Sequence, residues 1–310
     1  MWQWCGGAKG GTIERTRHAR EYIRPPPGAQ EGAYMDTISL LTTLDERYLP
    51  QLQVLLTSLH VNNPGERFAL HLLHSGIPRD ALAGTARRCG AWGWDFFPAE
   101  VDGALFAGAP VSRQYPREMY YRLLAPRLLP GVDRILYLDP DILVINPIRP
   151  LWEQDLAGKL FAAAAHTGKT ELASSVNQLR LGTEGDYYNS GVLVMDLAAG
   201  RREIEPRFLF DYVARHRKEL VLPDQDVLNA LFSRRILPLE DALWNYDARN
   251  YSTYFMRSGG VMDVRWVMDH TAILHFCGKE KPWKPKYFHR FGILYQHYAR
   301  LARREEESWQ

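Results

Sequence analysis

Two carboxylates, Asp139 and Asp141, stand between the apolar runs Ile135–Leu138 and Ile142–Ile145. The β-branched residues in these runs predict buried strands. Alternate residues of an extended chain point to the same side, and Pro140 keeps Asp139 out of the helical region, so both carboxylates can approach one cation. Magnesium and manganese(II) take oxygen ligands and can keep positions open for phosphate oxygens. The spacing is compatible with a metal site, although an isolated Asp-x-Asp after a strand is more often a turn with solvated carboxylates.

Four further stretches strengthen the metal-site interpretation. They are Tyr120-Tyr121-Arg122, Tyr188-Asn189-Ser190-Gly191-Val192-Leu193, Pro223-Asp224-Gln225-Asp226-Val227-Leu228-Asn229 and His275-Phe276-Cys277-Gly278-Lys279-Glu280-Lys281-Pro282-Trp283. With the Asp-x-Asp, their order and spacing resemble glycosyltransferase family 8, the retaining GT-A group that includes bacterial lipopolysaccharide galactosyl- and glucosyltransferases and glycogenin. The resemblance extends from about Met35 to Trp283. It implies an enzyme that moves galactose or glucose from a UDP-sugar to a hydroxyl acceptor with retention of configuration.

The resemblance implies that Asp139, Asp141 and His275 bind manganese(II), with magnesium as the alternative cation. His275 matches the histidine of the family's H-x-x-G-x-x-K-P-W signature. Two carboxylates and one imidazole leave room in an octahedral shell for two diphosphate oxygens, and the cation then stabilises the departing UDP. Outside this motif, the same histidine would be interpreted as a hydrogen-bonded core residue.

Gly278 and Lys281 match the family's diphosphate contacts. Glycine lets the backbone approach a phosphate closely, and lysine adds a point charge. Arg122 matches an arginine near the donor nucleotide. The alternatives are a solvated surface lysine at Lys281 and an ion pair on a helix surface at Arg122.

The turn that contains Thr43, Asp45 and Tyr48 resembles the family's uridine-binding turn. Glu46 and Arg47 replace the usual Asp-Asn pair, so the base and ribose contacts do not follow from the motif alone. A polar strand-to-helix turn without a ligand is the alternative interpretation.

Asn189 and Gln225 match side chains that line the family's sugar pocket, and Asp224 matches an acid beside them. An amide is a poor nucleophile, so front-side substitution is favoured, with Gln225 stabilising positive charge and Asp224 holding sugar hydroxyls. Alternatively, the run from Asp224 to Asp226 caps a helix that starts near Val227.

His166 stands where family members usually carry an acid that contacts the donor sugar or the acceptor. The identity of the sugar is therefore left open between galactose and glucose. A strand-end histidine without a ligand is an equally good interpretation of this residue.

The composition is that of an ordinary globular protein, with 46% hydrophobic and 24% charged residues among 310. A net charge of +2 gives no argument for nucleic acid as a partner. Cys5, Cys89 and Cys277 have no paired spacing, and neither a spanning segment nor a signal peptide is evident. These features predict a cytoplasmic protein.

Apolar periodicity predicts the elements that must position these residues. Predicted strands cover residues 37–42, 68–73, 94–97, 160–165 and 190–197, and predicted helices cover 48–60, 79–89, 118–129 and 206–219. Strands alternating with helices favour a largely parallel sheet covered on both faces. The expected fold class is therefore α/β: a GT-A fold with a Rossmann-like, mixed but mostly parallel sheet flanked by helices in a single catalytic domain. No internal repeat is visible. The last third of the sequence is rich in aromatic residues, and we expect it to be irregular in structure until about Phe288.

Three segments follow from this pattern. Residues 1–34, rich in Gly, Arg and Pro, are expected to be a disordered extension, residues 35–284 the GT-A domain, and residues 285–310 a helical tail. The tail combines aromatic residues with Arg300, Arg303 and Arg304, so it is a candidate for weak contact with the inner face of a membrane, where glycolipid acceptors lie. Packing of its apolar face on its own domain is the alternative.

Two rival functions fit parts of the sequence. A haloacid dehalogenase-like phosphotransferase also uses a strand ending in Asp-x-Asp, but is expected to carry it near the start of the domain and to add a distal acidic pair. A non-catalytic UDP-sugar or glycan-binding protein would suit the altered turn at Glu46 and Arg47. Intact Asp139, Asp141 and His275 argue for the enzyme.

Overall fold

The computed structural model describes residues 36–106, 109–110, 117–165, 180–183 and 186–309. The predicted disordered extension and His166 lie outside these residues. Ten strands are present in them: β1 Ile38–Thr43, β2 Phe68–His74, β3 Asp95–Glu100, β4 Arg134–Leu138, β5 Ile142–Val144, β6 Phe161–Ala164, β7 Val192–Asp196, β8 Ile236–Leu239, β9 Tyr246–Asp247 and β10 Ile273–His275.

Eleven α-helices accompany these strands in the described part of the chain. They are α1 Leu49–Asn62, α2 Arg79–Ala91, α3 Glu118–Leu128, α4 Arg149–Trp152, α5 Leu197–Glu203, α6 Pro206–His216, α7 Pro223–Phe232, α8 Asp241–Trp244, α9 Tyr251–Arg257, α10 Val264–His270 and α11 Gly292–Glu307. Short 3-10 helices cover Glu46–Tyr48, Gly103–Phe106 and Ser233–Arg235.

Seven strands form the main sheet, in the order β3-β2-β1-β4-β7-β6-β8. All neighbours pair in parallel except β7, which is antiparallel to both β4 and β6. Alternate residues of β4 face different cores: Ile135 and Tyr137 belong to one apolar cluster, Leu136 and Leu138 to the other. The sheet is therefore buried on both faces, as its continuous apolar runs predicted.

A second, three-stranded sheet has the order β5-β10-β9. Strand β10 is antiparallel to β5 and parallel to β9. The expectation of an irregular last third was wrong, because β8 to β10 and α8 to α10 lie within it. These elements are two to seven residues long, which is too short to show a hydrophobic period.

The C-terminal helix α11 packs against α1 and α2. Its own residues Tyr295, Tyr298 and Ala302 are buried, and the hydroxyl of Tyr298 accepts a hydrogen bond from Asn62 Nδ2 at 2.7 Å. This face of the helix is occupied by its own domain. Contact with a membrane and the domain boundary at residue 285 both stay predictions. No helix in the described segments combines the length and apolar character needed to cross a bilayer.

Candidate active site

Three side chains that could hold a metal ion meet where the two sheets join. Asp139 and Asp141 flank Pro140 between β4 and β5, and His275 ends β10, which pairs with β5. One ligand atom from each of the three lies within 4.8 Å of the others. His275 Nε2 is 3.3 Å from Asp141 Oδ1 and 3.9 Å from Asp139 Oδ2. Two carboxylate oxygens and one imidazole nitrogen fit manganese(II) or magnesium.

Backbone hydrogen bonds fasten the Asp-Pro-Asp turn to both sheets. Asp139 N donates to Gly191 O at 2.9 Å, just before β7 of the main sheet. Phe276 N donates to Asp141 O at 3.0 Å, just after β10 of the small sheet. The position of each carboxylate is therefore set by a different sheet.

Gly191 leaves the space that two of these side chains occupy. A Cβ at this position would lie 2.3 Å from His275 Cε1 and 2.6 Å from Asp139 Oδ2. Both distances are well inside van der Waals contact. Gly191 is not among the glycines with positive φ in the described chain, so the need for glycine here is steric rather than conformational.

Opposite charges inside the cluster shift two pKa values. Burial alone would raise the pKa of Asp141, but His275 and Lys281 lower it well below its usual value. Burial alone would lower the pKa of His275, but Cys277 and the Asp141 carboxylate raise it well above its usual value. Lys281 Nζ forms an ion pair with Asp141 and donates to Phe276 O at 2.9 Å.

Tyr137 supports Asp139 from within β4. Its hydroxyl donates to Asp139 Oδ1 at 2.6 Å and lies 3.3 Å from Thr43 Oγ1 at the end of β1. The guanidinium carbon of Arg122 stands 4.4 Å from the centre of the Tyr137 ring. Asp139 is therefore held by a fully buried aromatic residue that is itself packed under a cation.

Arg122 joins the metal cluster to Asp224. Its guanidinium lies 3.0 Å from Asp139 Oδ1 and 3.2 Å from Asp224 Oδ2. It also donates to Ser190 O at 2.8 Å, and Ser190 Oγ donates to Asp224 Oδ2 at 3.2 Å. The arginine from α3 thus holds the two carboxylates in a fixed relation.

Helix α7 brings Asp224 and Gln225 to the site in its first turn. Gln225 Oε1 accepts a hydrogen bond from Asn189 Nδ2 at 2.9 Å, and both side chains are buried. The two amides predicted to line the sugar pocket therefore lie against the segment that leads into β7.

Asp226 has a role different from its neighbours. Its carboxylate accepts hydrogen bonds from Val221 N at 2.6 Å and Leu222 N at 2.9 Å, and it pairs with Arg180 at 2.7 Å. The prediction that the helix starts near Val227 was wrong, because α7 begins at Pro223, where the fixed φ of proline suits a first helical position. Asp226 therefore fixes the two residues that precede α7, and neither it nor Asp224 is the N-cap of the helix, which is Leu222.

Two residues of the predicted uridine-binding turn form an ion pair with each other. Asp45 accepts a hydrogen bond from Arg47 N at 2.9 Å and pairs with the Arg47 guanidinium at 2.6 Å. The side-chain hydrogen bond from Arg47 lowers the pKa of Asp45. The Tyr48 ring meets Trp283 edge-to-face with centroids 6.1 Å apart, which connects this turn to the segment containing Lys281.

Gly278 adopts φ +84°, and the guanidinium of Arg249 lies directly beside it. A Cβ at Gly278 would be 2.1 Å from an Arg249 Nη atom. Arg249 is held by Asp247, with Nε to Oδ1 at 2.9 Å and Nη to Oδ2 at 2.7 Å. A second cation thus stands next to the predicted diphosphate contact.

The structure brings most of the predicted residues to one place. Asp139, Asp141 and His275 form the cluster, while Arg122 and Lys281 contact it directly. The contacts that sequence reasoning missed come from Tyr137, from Arg249 and from Asn245, whose Oδ1 lies 2.8 Å from His275 Nδ1. Gly191 was part of a quoted motif, but its steric role was not predicted. Only Tyr137 carried a usable signal, since residues two apart on a strand face the same side. Nothing in the sequence marks the two-residue strand β9 that brings Asn245 and Arg249 to the site.

Comparison with known proteins identifies relatives over most of the chain. A family model described as glycosyl transferase family 8 matches residues 39–286. General stress protein A of Bacillus subtilis is 29% identical over 272 residues, which are 85% of this chain and 93% of the relative. A lipopolysaccharide 1,2-glucosyltransferase of Escherichia coli is 23% identical over 254 residues, covering 80% of this chain and 74% of the relative.

Two solved structures share the architecture. The galactosyltransferase LgtC, in complex with donor and acceptor sugar analogs, superposes with a TM-score of 0.71 at 24% identity, covering 85% of this chain and 96% of that one. The glycosyltransferase GlyE of Streptococcus pneumoniae superposes with a TM-score of 0.65 at 21% identity, covering 88% of this chain and 63% of that one. Together with the mostly parallel sheet, these likenesses confirm the predicted GT-A fold class.

Proposed function

This chain belongs to glycosyltransferase family 8, and from that membership we propose that it transfers galactose or glucose from a UDP-sugar to a hydroxyl group, with retention of configuration. The observation that carries the proposal is the cluster formed by the half-buried Asp139 and the buried Asp141 and His275, which Arg122 connects to Asp224. A candidate metal site joined through Arg122 to polar side chains at the start of α7 suits a substrate with a diphosphate at one end and a sugar at the other.

Asp139, Asp141 and His275 are the residues that would hold manganese(II) or magnesium. When bound, the cation supplies Lewis-acid stabilisation of the charge on UDP. Lys281 and the backbone at Gly278 would bind the diphosphate. Lys281 is close to the proposed cation, because its ammonium group already contacts the carboxylate of Asp141. The guanidinium of Arg249, which is paired with Asp247, also lies beside Gly278.

The proposed reaction exchanges two bonds at the anomeric carbon. The bond to the diphosphate oxygen breaks, the acceptor oxygen bonds to the same face, and the acceptor proton passes to a departing phosphate oxygen. Gln225 is a neutral amide whose Oε1 accepts from Asn189, so it is suited to stabilising developing positive charge and poorly suited to forming a covalent intermediate. Asp224, fixed by Arg122 and Ser190, would accept hydrogen bonds from the sugar hydroxyls.

Thr43, Asp45 and Tyr48 are proposed to bind the uridine. The Asp45 carboxylate is already paired with Arg47, so the base and ribose would be bound with that pair intact. The similarity to the E. coli lipopolysaccharide 1,2-glucosyltransferase supports a carbohydrate or glycolipid acceptor, such as a lipopolysaccharide precursor. We propose a cytoplasmic location, with weak contact at the inner face of the membrane.

Slow hydrolysis of the donor tests the proposal without knowledge of the acceptor. UDP release from UDP-galactose and from UDP-glucose is measured with manganese(II) or with chelator. We expect the wild type to release UDP from one of the two donors. This release should occur only when the metal is present. Asp141→Ala should lose at least 100-fold of this activity, because it removes one of the proposed ligands.

Asp211→Ala is the matched control, since Asp211 is exposed on α6 and should leave the rate unchanged. Calorimetry with UDP then separates the remaining outcomes. Metal-dependent binding of UDP without hydrolysis or transfer would favour a non-catalytic binding protein. Absence of metal-dependent UDP binding would contradict the proposed function altogether.

A further inference from the structure

A chain of buried hydrogen bonds runs from the proposed metal ligand His275 to Gln225. His275 Nδ1 is 2.8 Å from Asn245 Oδ1, and Asn245 Nδ2 is 2.8 Å from Asn189 Oδ1. Asn189 Nδ2 in turn is 2.9 Å from Gln225 Oε1. All four side chains are buried, and Asn245 is only 1% exposed. Water therefore has little opportunity to replace any of these contacts.

One backbone group fixes the direction of every hydrogen bond in the chain. Gly191 N, which can only donate, lies 2.9 Å from Asn189 Oδ1. That oxygen is thereby identified as the acceptor, so Asn245 must present its NH2 group to it. Asn245 then turns its own oxygen to His275, and Nδ1 of His275 must carry the proton. The other nitrogen, Nε2, faces Asp139 and Asp141.

The backbone holds both ends of the contact between Asn245 and His275. Asn245 N donates to Asp241 O at 3.0 Å, and the following strand β9 pairs with β10. Ala248 N donates to His275 O at 3.0 Å. On another side of the ring, His275 Cε1 is so close to Gly191 that no Cβ fits between them. The imidazole therefore has very little freedom to rotate.

We propose that Asn245 is a positioning residue with two tasks: it keeps the proton of His275 on Nδ1 so that Nε2 can bind the metal, and through Asn189 it sets the orientation of the Gln225 amide. The inference rests on the proposed function, because it takes His275 as a metal ligand. A residue that hydrogen-bonds the distal nitrogen of a metal-binding histidine fixes both its tautomer and its direction. Here the same residue also reaches the sugar pocket.

Two substitutions separate these tasks. Asn245→Leu has a similar volume and removes both hydrogen bonds. We expect it to weaken manganese(II) binding in the presence of UDP by about 10- to 100-fold, as removal of a histidine's supporting group typically does. Asn245→Asp keeps the acceptor for His275 but cannot donate to Asn189. It should bind manganese(II) within about 3-fold of the wild type, while kcat for UDP-sugar hydrolysis falls by about 10-fold or more.

The measurement is an electron paramagnetic resonance titration of free manganese(II), run with UDP and beside the hydrolysis assay. If Asn245→Leu binds the metal and hydrolyses the donor like the wild type, the inference is overturned. Equal losses of metal affinity in both variants would also overturn it, since the two tasks would not be separable. If the wild type itself binds no manganese(II) with UDP, the proposed function fails instead.

A measurement on the wild type covers the case in which the variants do not fold. Long-range nitrogen–proton NMR spectra of ¹⁵N-histidine-labelled protein with magnesium and UDP should show His275 protonated at Nδ1, with the assignment made from His275→Gln. Protonation at Nε2 would contradict the proposal, because that nitrogen could not then bind the cation.

Discussion

At the scale of single residues, the proposed metal site depends on space as much as on ligands. Gly191 lies so close to His275 and Asp139 that both side chains rely on its missing Cβ. Neither neighbour can move away easily, since His275 is hydrogen-bonded to Asn245 and Asp139 to Tyr137. A single methyl group should therefore disturb the ligand geometry.

Gly191→Ala is expected to weaken metal binding by at least 10-fold, because the new Cβ must displace one of two ligands. The check is the manganese(II) affinity, measured with UDP. Gly131→Ala is the matched control, since a Cβ there meets nothing within 4 Å. Wild-type affinity in Gly191→Ala would show that the site can rearrange.

The protonation of His275 should make the metal affinity depend on pH. Although burial lowers the pKa of His275, Cys277 and the Asp141 carboxylate raise it well above its usual value, so a proton competes with a cation for the imidazole. A metal must displace that proton, so affinity should increase as the pH increases, by about tenfold per pH unit below the pKa. Titrations between pH 6 and about 9 check this slope. His275→Gln should bind more weakly and show a flatter profile over the same range.

At the scale of secondary-structure elements, a buried arginine fastens the C-terminal helix to the domain. Arg88 of α2 donates to Ala302 O of α11 at 2.8 Å and to Gln53 Oε1 of α1 at 2.6 Å. Its side chain is 1% exposed and lies 3.6 Å from Glu305. Three helices thus meet at one guanidinium group.

Arg88→Ala should lower the free energy of unfolding by about 2–4 kcal/mol, because it leaves a cavity and removes the partners of buried polar groups. Urea denaturation measures the change. The adjacent Arg87 is exposed, and Arg87→Ala should change the stability by no more than about 0.5 kcal/mol. Similar values for the two variants would mean that α11 contributes little to the stability of the domain.

Sequence reasoning found the long elements because they repeat a pattern. Strand β2 was expected at 68–73 and lies at Phe68–His74, and α1 was expected at 48–60 and lies at Leu49–Asn62. The antiparallel direction of β7 was not predicted, because the direction of a strand is decided by distant partners rather than by its own residues. For the same reason Asn245, brought to His275 by the pairing of β9 with β10, could not be found.

At the scale of the whole molecule, ligand binding at the junction of the sheets should stabilise the entire fold. A ligand at 100 times its dissociation constant adds about 2.7 kcal/mol. Manganese(II) and UDP together should therefore raise the melting temperature of the wild type by several degrees. Asp141→Ala should lose this increase, while Asp211→Ala should keep it. Thermal denaturation with and without the ligands tests both expectations.

The Asp-Pro-Asp turn also has a consequence for the time course of folding. Its two carboxylates belong to different sheets, and His275 comes from a strand far along the chain. Contacts between residues so distant in sequence form slowly, because the intervening loops must close first. A chain with only the main sheet formed would have Asp139 in position, held by Tyr137, but without Asp141 and His275 beside it. A cation that needs all three side chains would therefore bind only after both sheets have formed.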